Sequence, residues 1–336
     1  MRQVPAESCA ASDGPVYCEG MRSRVAVLLL ALVVLAGCSV VSIDLTPPVR
    51  PLKETTVEGK GRDKILLLEL AGVLAEEPIF TLEARPQVPL LARVREELEK
   101  AAEDERVRAV VLRINSPGGT VTASDILYHE IKRFKARREV PVIASILDVG
   151  ASGGYYVALA ADRIVAHPTT VTGSIGVLML TLNSSGLLEK IGVSANYITS
   201  GPHKDMGSPF RGLSPQERAI FQEVIDRLYG RFVALIARER RLDEARVRAF
   251  ADGRIYTAAE AVSLGLVDQI GYLEDAIALA RETAGVPTAK VVTYHRPRQY
   301  RATIYSGGEA PPVHAGVSDL ARLLTSGPRF LYLWWP

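Results

Sequence analysis

The chain has 336 residues, of which 48% are apolar and 23% charged, and its formal net charge is +2. This composition is ordinary for a globular protein, and the absence of a concentrated basic stripe argues against nucleic acid as a partner. All three cysteines, Cys9, Cys18 and Cys38, precede residue 39, so the body of the protein has no disulfide framework, thiolate metal site or cysteine nucleophile.

The N-terminal part has the pattern of a secretory signal. A basic pair, Arg22 and Arg24, precedes an apolar run over residues 25–36, which ends in Leu35-Ala36-Gly37-Cys38. A run of about 12 apolar residues fits a signal peptide, because a spanning helix needs about 20. The ending resembles the lipobox of bacterial lipoprotein signal peptides, and this resemblance implies that Cys38 is the lipid-carrying mature N-terminus.

These features give an expected organisation for the first 62 residues. Residues 1–20 are predicted to be a mis-assigned extension that precedes a start at Met21, residues 21–37 the signal, and residues 38–62 a tether. We therefore expect a lipid-anchored protein that faces the periplasm. Ser39, rather than an aspartate, follows the cysteine, which by analogy with other lipoproteins favours the outer membrane over the inner one.

Apolar runs and helical periodicity alternate along the body of the chain. Strands are predicted at 65–70, 107–114 and 140–147, and helices at 123–137 and 153–161. This alternation predicts an α/β fold with a layered parallel sheet over residues 63–295. Ser214 and Thr257 each begin a capping-box pattern, so both are interpreted as helix caps and not as catalytic residues.

Two glycine loops follow neighbouring predicted strands. Ser152 lies in Gly150-Ala151-Ser152-Gly153-Gly154 before a helix, and Gly119 ends the loop that begins at Asn115. Because the carboxyl ends of parallel strands form a common crevice, the two loops together could supply oxyanion N–H groups from Gly119 and Gly153 beside a nucleophilic Ser152. Ser152 as a simple helix cap is the alternative.

A serine nucleophile needs a base. His167 and His203 are candidates, and a lysine is another. A lysine amine has an ordinary pKa of about 10.4 and becomes a base only where burial disfavours its charged form. No residue pattern in the body indicates a metal or a cofactor.

Several motifs in one order carry a resemblance to a known family. They are Ile114–Gly119, Ala151–Tyr156, Thr172–Val177, Ser200–Phe210, Asp252–Thr257 and Gly265–Asp268. Across about residues 64–285 the chain resembles signal peptide peptidase A, a family of serine peptidases with the ClpP/crotonase-like fold.

The resemblance implies roles at matching positions. Ser152 matches the nucleophile, Lys204 the general base, and Ser174 the hydroxyl that orients the lysine, while Gly119 and Gly153 match the oxyanion donors. It also implies peptide substrates, among them released signal peptides, and a ring-like homo-oligomer in which Ser152 of one subunit meets Lys204 of its neighbour. Two positions depart from the family pattern: His203 stands where tyrosine is usual, and Gly150 where alanine is common.

The sequence leaves two alternative functions and the position of the C-terminal segment undecided. The chain could be a catalytically silent lipid-anchored scaffold of the same fold, or a crotonase-type acyl-CoA enzyme, although the latter chemistry usually relies on acidic residues. Residues 296–336 are expected to form a tail, whose aromatic end, Phe330–Pro336, either packs on its own domain or a neighbour, or lies near the substrate groove or the membrane interface.

Overall fold

The computed structural model describes residues 51–76, 88–296, 303–305 and 329–334. The predicted lipid-attachment residue Cys38 and the predicted signal lie outside the described residues. Among the described residues, no helix combines the length and apolarity that crossing a bilayer requires.

Strands and helices alternate through most of the described chain. The strands are β1 (Lys53–Glu58), β2 (Lys64–Ala71), β3 (Val107–Ser116), β4 (Gly118–Thr120), β5 (Val142–Ala151), β6 (Arg163–Ala166), β7 (Val171–Gly173), β8 (Leu178–Leu180), β9 (Ile255–Thr257), β10 (Gln269–Ile270), β11 (Lys290–His295) and β12 (Arg329–Leu333). The helices are α1 (Leu90–Glu103), α2 (Val121–Arg138), α3 (Gly153–Ala158), α4 (Ser185–Lys190), α5 (Pro215–Arg240), α6 (Glu244–Phe250), α7 (Ala258–Leu264) and α8 (Leu273–Thr283).

A mostly parallel sheet forms the centre of the domain. Its main path has the order β1-β11-β2-β3-β5-β6-β10, and β7 pairs in parallel with the last residues of β5 and antiparallel with β9. The pairs β2–β3, β3–β5, β5–β6 and β11–β2 are all parallel. The predicted α/β class with a layered parallel sheet is therefore confirmed.

Helices cover both faces of this sheet. In β3, Val110, Leu112 and Ile114 belong to a buried cluster that includes residues of α1, α2 and α5. Ala109 and Val111 point to the opposite cluster, which is built on α8. A parallel strand that is buried on both faces has a continuous apolar sequence, which is why β2, β3 and β5 could be predicted from their apolar runs.

The helix caps are also as predicted. Ser214 accepts a hydrogen bond from the Glu217 amide, and the Glu217 carboxylate accepts one from the Ser214 amide. Thr257 and Glu260 form the same reciprocal pair at the start of α7. These bonds satisfy amides that have no partner within the helix, so both side chains have a structural role.

Two segments differ from the expected tether and tail. Residues 53–58, within the predicted tether, form β1, which pairs antiparallel with β11 at the edge of the sheet. Residues 329–333, within the predicted tail, form β12 of a second sheet with the order β4-β12-β8. Both strands are held by partners distant in sequence, which local composition does not reveal.

Candidate active site

Ser152 lies at a sharp turn where β5 ends and α3 begins. Its φ is 51° and its ψ is −115°, a backbone conformation that is rare for a residue other than glycine. Parallel pairing of Ala151 with Gly173 holds the turn, and the Ser152 amide donates to the Gly173 carbonyl at 2.8 Å. Such strain costs about 1–3 kcal/mol and persists only where the surrounding structure imposes it.

The Ser152 side chain does not cap the helix. Its hydroxyl is buried and has no hydrogen-bond partner among the described residues, and it accepts no bond from the first turn of α3. A buried hydroxyl without a partner is costly, typically about 1–3 kcal/mol. The interpretation of Ser152 as a capping residue is therefore wrong.

Two glycine segments approach Ser152 from adjacent strands. A Cβ on Gly118 would lie 2.7 Å from the Gly153 amide nitrogen, and one on Gly153 would lie 2.3 Å from the Ser124 hydroxyl. A Cβ on Gly119 would lie 1.8 Å from the Leu74 carbonyl oxygen. The two loops are thus in contact, and none of the three positions has room for a side chain without movement of its neighbours.

Ser116 holds the first glycine loop in place. Its buried hydroxyl donates to the Gly72 carbonyl at 2.7 Å and accepts from the Gly118 amide at 3.1 Å. The loop expected after β3 includes a short strand, β4, because Gly119 forms a bridge with Leu74 on one side and pairs with β12 on the other. The loop is therefore part of an ordered ladder.

Ser174 lies next to the Ser152 turn. It follows Gly173, whose carbonyl accepts the Ser152 amide, and its own amide donates to the Arg254 carbonyl at 2.7 Å. Ser174 is 9% exposed and has a φ of 48°. The structure therefore brings together Ser152, Ser174, Gly119 and Gly153 from three separate motifs.

Lys204 is not part of this cluster within one chain. Its side chain is exposed, whereas Ser152 is fully buried, and no hydrogen bond joins the two. Lys204 lies in a turn in which its amide donates to the Gly201 carbonyl at 3.2 Å. An ion-pair network joins the next residue, Asp205, to α5: the Arg211 guanidinium binds Asp205 at 2.6 and 2.8 Å and Glu217 at 2.9 Å.

The same ion pairs change the titration of both carboxylates. Hydrogen bonds from Arg211 hold the pKa of Asp205 below its ordinary value and lower the pKa of Glu217 to about 2. Both groups therefore stay ionised at neutral pH and keep the Arg211 bridge intact. The sequence analysis did not identify Arg211. Its position in the sequence between Asp205 and Glu217 was a usable signal.

The region around Lys204 exposes apolar side chains. Leu187 and Ile191 are each 63% exposed, and Tyr197, Ile198 and Phe210 are also exposed. A segment that exposes several large apolar side chains is a candidate interaction site. His203 is exposed as well, and His167 contacts the Thr169 hydroxyl at 2.9 Å rather than Ser152.

Comparisons with known proteins point to peptidases. A sequence profile described as Peptidase family S49 matches residues 135–287. A protein of Enterococcus faecium, provisionally named signal peptide peptidase SppA, is 40% identical over 245 residues, which are 72% of this chain and 70% of that protein. The serine protease SPPA, chloroplastic, of Arabidopsis thaliana is 37% identical over 237 residues, 69% of this chain and 34% of the relative.

A solved structure of a ClpP1 mutant from Listeria monocytogenes shares 19% identity with this chain at a TM-score of 0.41. The match covers 63% of this chain and 94% of the other. The sheet order described above, and not this match, defines the fold.

Proposed function

We propose that this chain, which belongs to peptidase family S49 and is a serine-type peptidase, cleaves peptide bonds with Ser152 as nucleophile and Lys204 as general base. The single observation that supports Ser152 most strongly is its buried hydroxyl, which has no partner among the described residues and lies on a strained turn beside two glycine loops. A structural serine would be expected to use its hydroxyl as a cap or a bridge.

The proposed reaction has two steps. An uncharged Lys204 amine takes the proton of the Ser152 hydroxyl while the serine oxygen bonds to the peptide carbonyl carbon. Amides of Gly119 and Gly153 stabilise the oxyanion that forms. The C–N bond then breaks, the leaving amine receives the proton from Lys204, and water releases the acyl group from Ser152 with the same lysine as base.

We propose that Lys204 comes from a neighbouring copy of the chain. In one chain its side chain is exposed and makes no bond to Ser152, and residues 187–210, which include Lys204, expose several large apolar side chains. Docking of this segment onto a second copy would bury both the apolar surface and the amine, and burial disfavours the charged form of lysine. We therefore propose a homo-oligomer with a shared dyad, inactive as a monomer.

Ser174 is proposed to orient the incoming amine. It lies one residue after the carbonyl that binds the Ser152 amide, so a lysine that reaches Ser152 also comes near the Ser174 hydroxyl. Ser174→Ala keeps the Cβ but removes the hydroxyl. It should lower kcat with little change in KM and shift the acidic limb of the pH–rate profile, where Lys204 loses its proton and becomes a base; a purely structural role would not shift this limb.

The proposed substrates are released signal peptides or other apolar, extended peptides at the membrane, and a lipid on Cys38 is the proposed anchor. The anchor can be tested separately from catalysis. Mass analysis of the mature N-terminus should find an acylated Cys38, and Cys38→Ala should release an active enzyme from membranes. Membrane retention of an unacylated Cys38→Ala protein would contradict the lipid anchor.

The catalytic assignment is tested with an apolar fluorogenic peptide. Ser152→Ala and Lys204→Ala should each lower kcat/KM at least about 1,000-fold with the oligomer intact. His203→Ala is the matched control next to the lysine and should retain most of the activity. A fluorophosphonate should label the unmodified protein but not Ser152→Ala; no label on either would favour a silent scaffold. Full turnover by Lys204→Ala would exclude Lys204 as the base.

A further inference from the structure

Strand β5 contains a bulge shortly before the nucleophile turn. Ile114 of β3 lies opposite Ile146 of β5. Ser116, two residues further along β3, lies opposite Gly150, which is four residues further along β5. Within residues 146–150, β5 therefore has two residues more than the strand beside it. Bulges are common next to active sites, where they bend a strand and redirect a side chain.

The bulge also marks a change of partner on the other side of β5. Before it, β5 pairs in parallel with β6 as far as Ile146. After it, β5 pairs in parallel with β7, where Ala151 lies opposite Gly173. Ser152 and Ser174 directly follow these two residues. The bulge thus brings the nucleophile turn beside the hydroxyl that is proposed to orient the lysine.

Two threonine hydroxyls bind carbonyl groups of the bulge. The Thr172 hydroxyl donates to the Gly150 carbonyl at 2.6 Å. The Thr170 hydroxyl lies 3.0 Å from the Ile146 carbonyl oxygen and 2.5 Å from that of Leu147. Both threonines are buried. A bulge interrupts the ladder, so buried carbonyls there need other donors, and these hydroxyls supply them.

Asn115 binds the bulge from the neighbouring strand β3. Its side-chain oxygen accepts a hydrogen bond from the Val149 amide at 3.1 Å, and its own carbonyl accepts one from the Gly72 amide at 3.0 Å. Asn115 directly precedes Ser116, whose hydroxyl accepts the Gly118 amide in the first glycine loop. Asn115 therefore connects the path of β5 to the position of that loop.

We propose that the hydroxyls of Thr170 and Thr172 and the side-chain oxygen of Asn115 are positioning groups for Ser152. They act through the backbone of β5: they hold the bulge, and the bulge fixes the direction in which the turn presents the nucleophile. A strained turn persists only where its surroundings impose it, and the bulge supplies such a constraint. This proposal rests on the proposed function, because it concerns the aim of the nucleophile.

Thr172 offers a test at nearly constant shape. Thr172→Val replaces the hydroxyl by a methyl group, so the Gly150 carbonyl loses its donor and the bulge can relax. Since a displacement of about 1 Å can cost about 100-fold in rate, kcat should fall about 10- to 100-fold while KM changes less than about threefold. Thr172→Ser keeps the hydroxyl and should retain kcat within about threefold.

Two controls separate positioning from stability. Active-site titration with a fluorophosphonate expresses kcat per reactive Ser152, so loss of folded protein alone would leave this value unchanged. Thr283→Val removes a hydroxyl that donates to the Leu279 carbonyl at 2.7 Å in α8, on the other face of the sheet from α3. It should leave kcat unchanged, and thermal melting shows how far each substitution alters stability.

Asn115 provides a second pair of variants, which carries the test if Thr172→Val does not fold. The residue is exposed, so its substitution leaves the core intact. Asn115→Leu removes the acceptor of the Val149 amide at similar size, and Asn115→Asp keeps an oxygen at that place. The leucine variant should lower kcat per labelled site at least about 10-fold, and the aspartate variant should stay within about threefold.

A third measurement does not depend on catalysis. In a Ser152→Ala background, mass spectrometry follows the amide hydrogen exchange of residues 146–156, which include the amide that donates to the Gly173 carbonyl. Thr172→Val should speed this exchange at least about threefold relative to Thr172→Ser, because the hydroxyl no longer holds the bulge.

The proposal is overturned if a folded Thr172→Val protein keeps its kcat per labelled site, if Thr172→Ser loses as much as Thr172→Val, or if the exchange of residues 146–156 does not change. Failure of the proposed function has a different signature. It would appear as cleavage by Ser152→Ala, or as no labelling of the unmodified protein, and the exchange measurement would still report whether Thr172 holds the bulge.

Discussion

Ser152 and Lys204 differ completely in environment within one chain: the serine hydroxyl is buried, and the lysine side chain is exposed. A reaction that needs both groups therefore needs a movement or a second chain. The large apolar side chains exposed in residues 187–210 favour a second chain, because their burial would give the docking step a favourable free energy.

Arg211 is expected to position the Lys204 turn. Arg211→Ala removes the bridge between Asp205, which follows Lys204, and Glu217 of α5. Since a displacement of about 1 Å can cost about 100-fold in rate, kcat should fall about 10- to 100-fold with a smaller change in KM. Steady-state kinetics on a fluorogenic peptide measure this effect.

Arg211→Lys serves as the conservative control. Lysine keeps the charge but cannot bind two carboxylates with a planar fork, so recovery should be partial. Thermal melting shows whether the fold is intact. Wild-type kcat in a folded Arg211→Ala protein would mean that the bridge does not position Lys204.

Gly119→Ala should disrupt the proposed oxyanion site. The added methyl group would lie 1.8 Å from the Leu74 carbonyl oxygen, a backbone atom, so the loop must move. Loss of one oxyanion donor typically lowers kcat about 100- to 1,000-fold, and activity should fall by at least that amount.

Gly186→Ala is the matched control for this substitution. It lies in α4, has nothing within 4 Å of its added methyl group, and should be neutral or slightly stabilising. Chemical denaturation separates lost activity from lost stability. Activity of Gly119→Ala within twofold of the unmodified enzyme, at unchanged stability, would contradict the assigned donor.

The buried Lys64 triad gives a pH dependence of stability. The Lys64 amine is 3% exposed and contacts Glu54 at 2.6 Å and Asp104 at 2.7 Å, so it joins β1 to the turn after α1. Burial acts to raise the pKa of Asp104, but hydrogen bonds from Lys64 and Arg106 outweigh it and lower this pKa to about 2. For Lys64, burial acts to lower the pKa, and the two carboxylates raise it overall.

The stabilising contributions of Asp104 and Lys64 depend on pH in opposite directions, because the pKa of one is lowered and that of the other is raised. The Asp104 contribution is present above its unfolded pKa of about 3.9 and is lost as pH falls through about 2. The Lys64 contribution is complete below about 10.5 and is lost as pH rises through the higher folded value. Asp104→Asn should therefore flatten the loss of unfolding free energy between pH about 4 and 2, as measured by denaturant titration.

A surface pair provides the comparison for the triad. Arg95→Met removes an exposed partner of Glu99 and should leave the acid profile unchanged, because exposed pairs contribute little. An unchanged profile in Asp104→Asn would mean that the triad does not contribute to the acid sensitivity of the fold.

Much of the fold could be predicted from local sequence, and the limits have a physical cause. Strands β2, β3 and β5 are apolar on both faces, so their sequences alone identify them as buried. β1 has exposed and partly buried residues in the sequence of a polar tether, and its pairing with β11 is settled by contacts distant in the chain. Local periodicity contains no information on such a partner.

The site was predictable to a similar extent. The motifs around Ser152, Ser174 and Gly119 identified segments that the sheet does bring together. Each of these residues follows a strand of the sheet, and the strands end close to one another. The packing of β12 could not be derived, since Tyr332 contacts aromatic rings of α3 and α5 that are distant in the sequence. The exposure of Lys204 in a single chain likewise depends on tertiary structure.

The most direct test of the shared dyad is complementation between two inactive variants. Ser152→Ala and Lys204→Ala subunits are co-assembled in equal amounts, and peptide cleavage is compared with that of each variant alone. Random assembly lets an intact Ser152 meet an intact Lys204 of its neighbour at one interface in four, so roughly a quarter of wild-type activity should return. Verified mixed oligomers with no activity above that of the separate variants would contradict a dyad built across subunits.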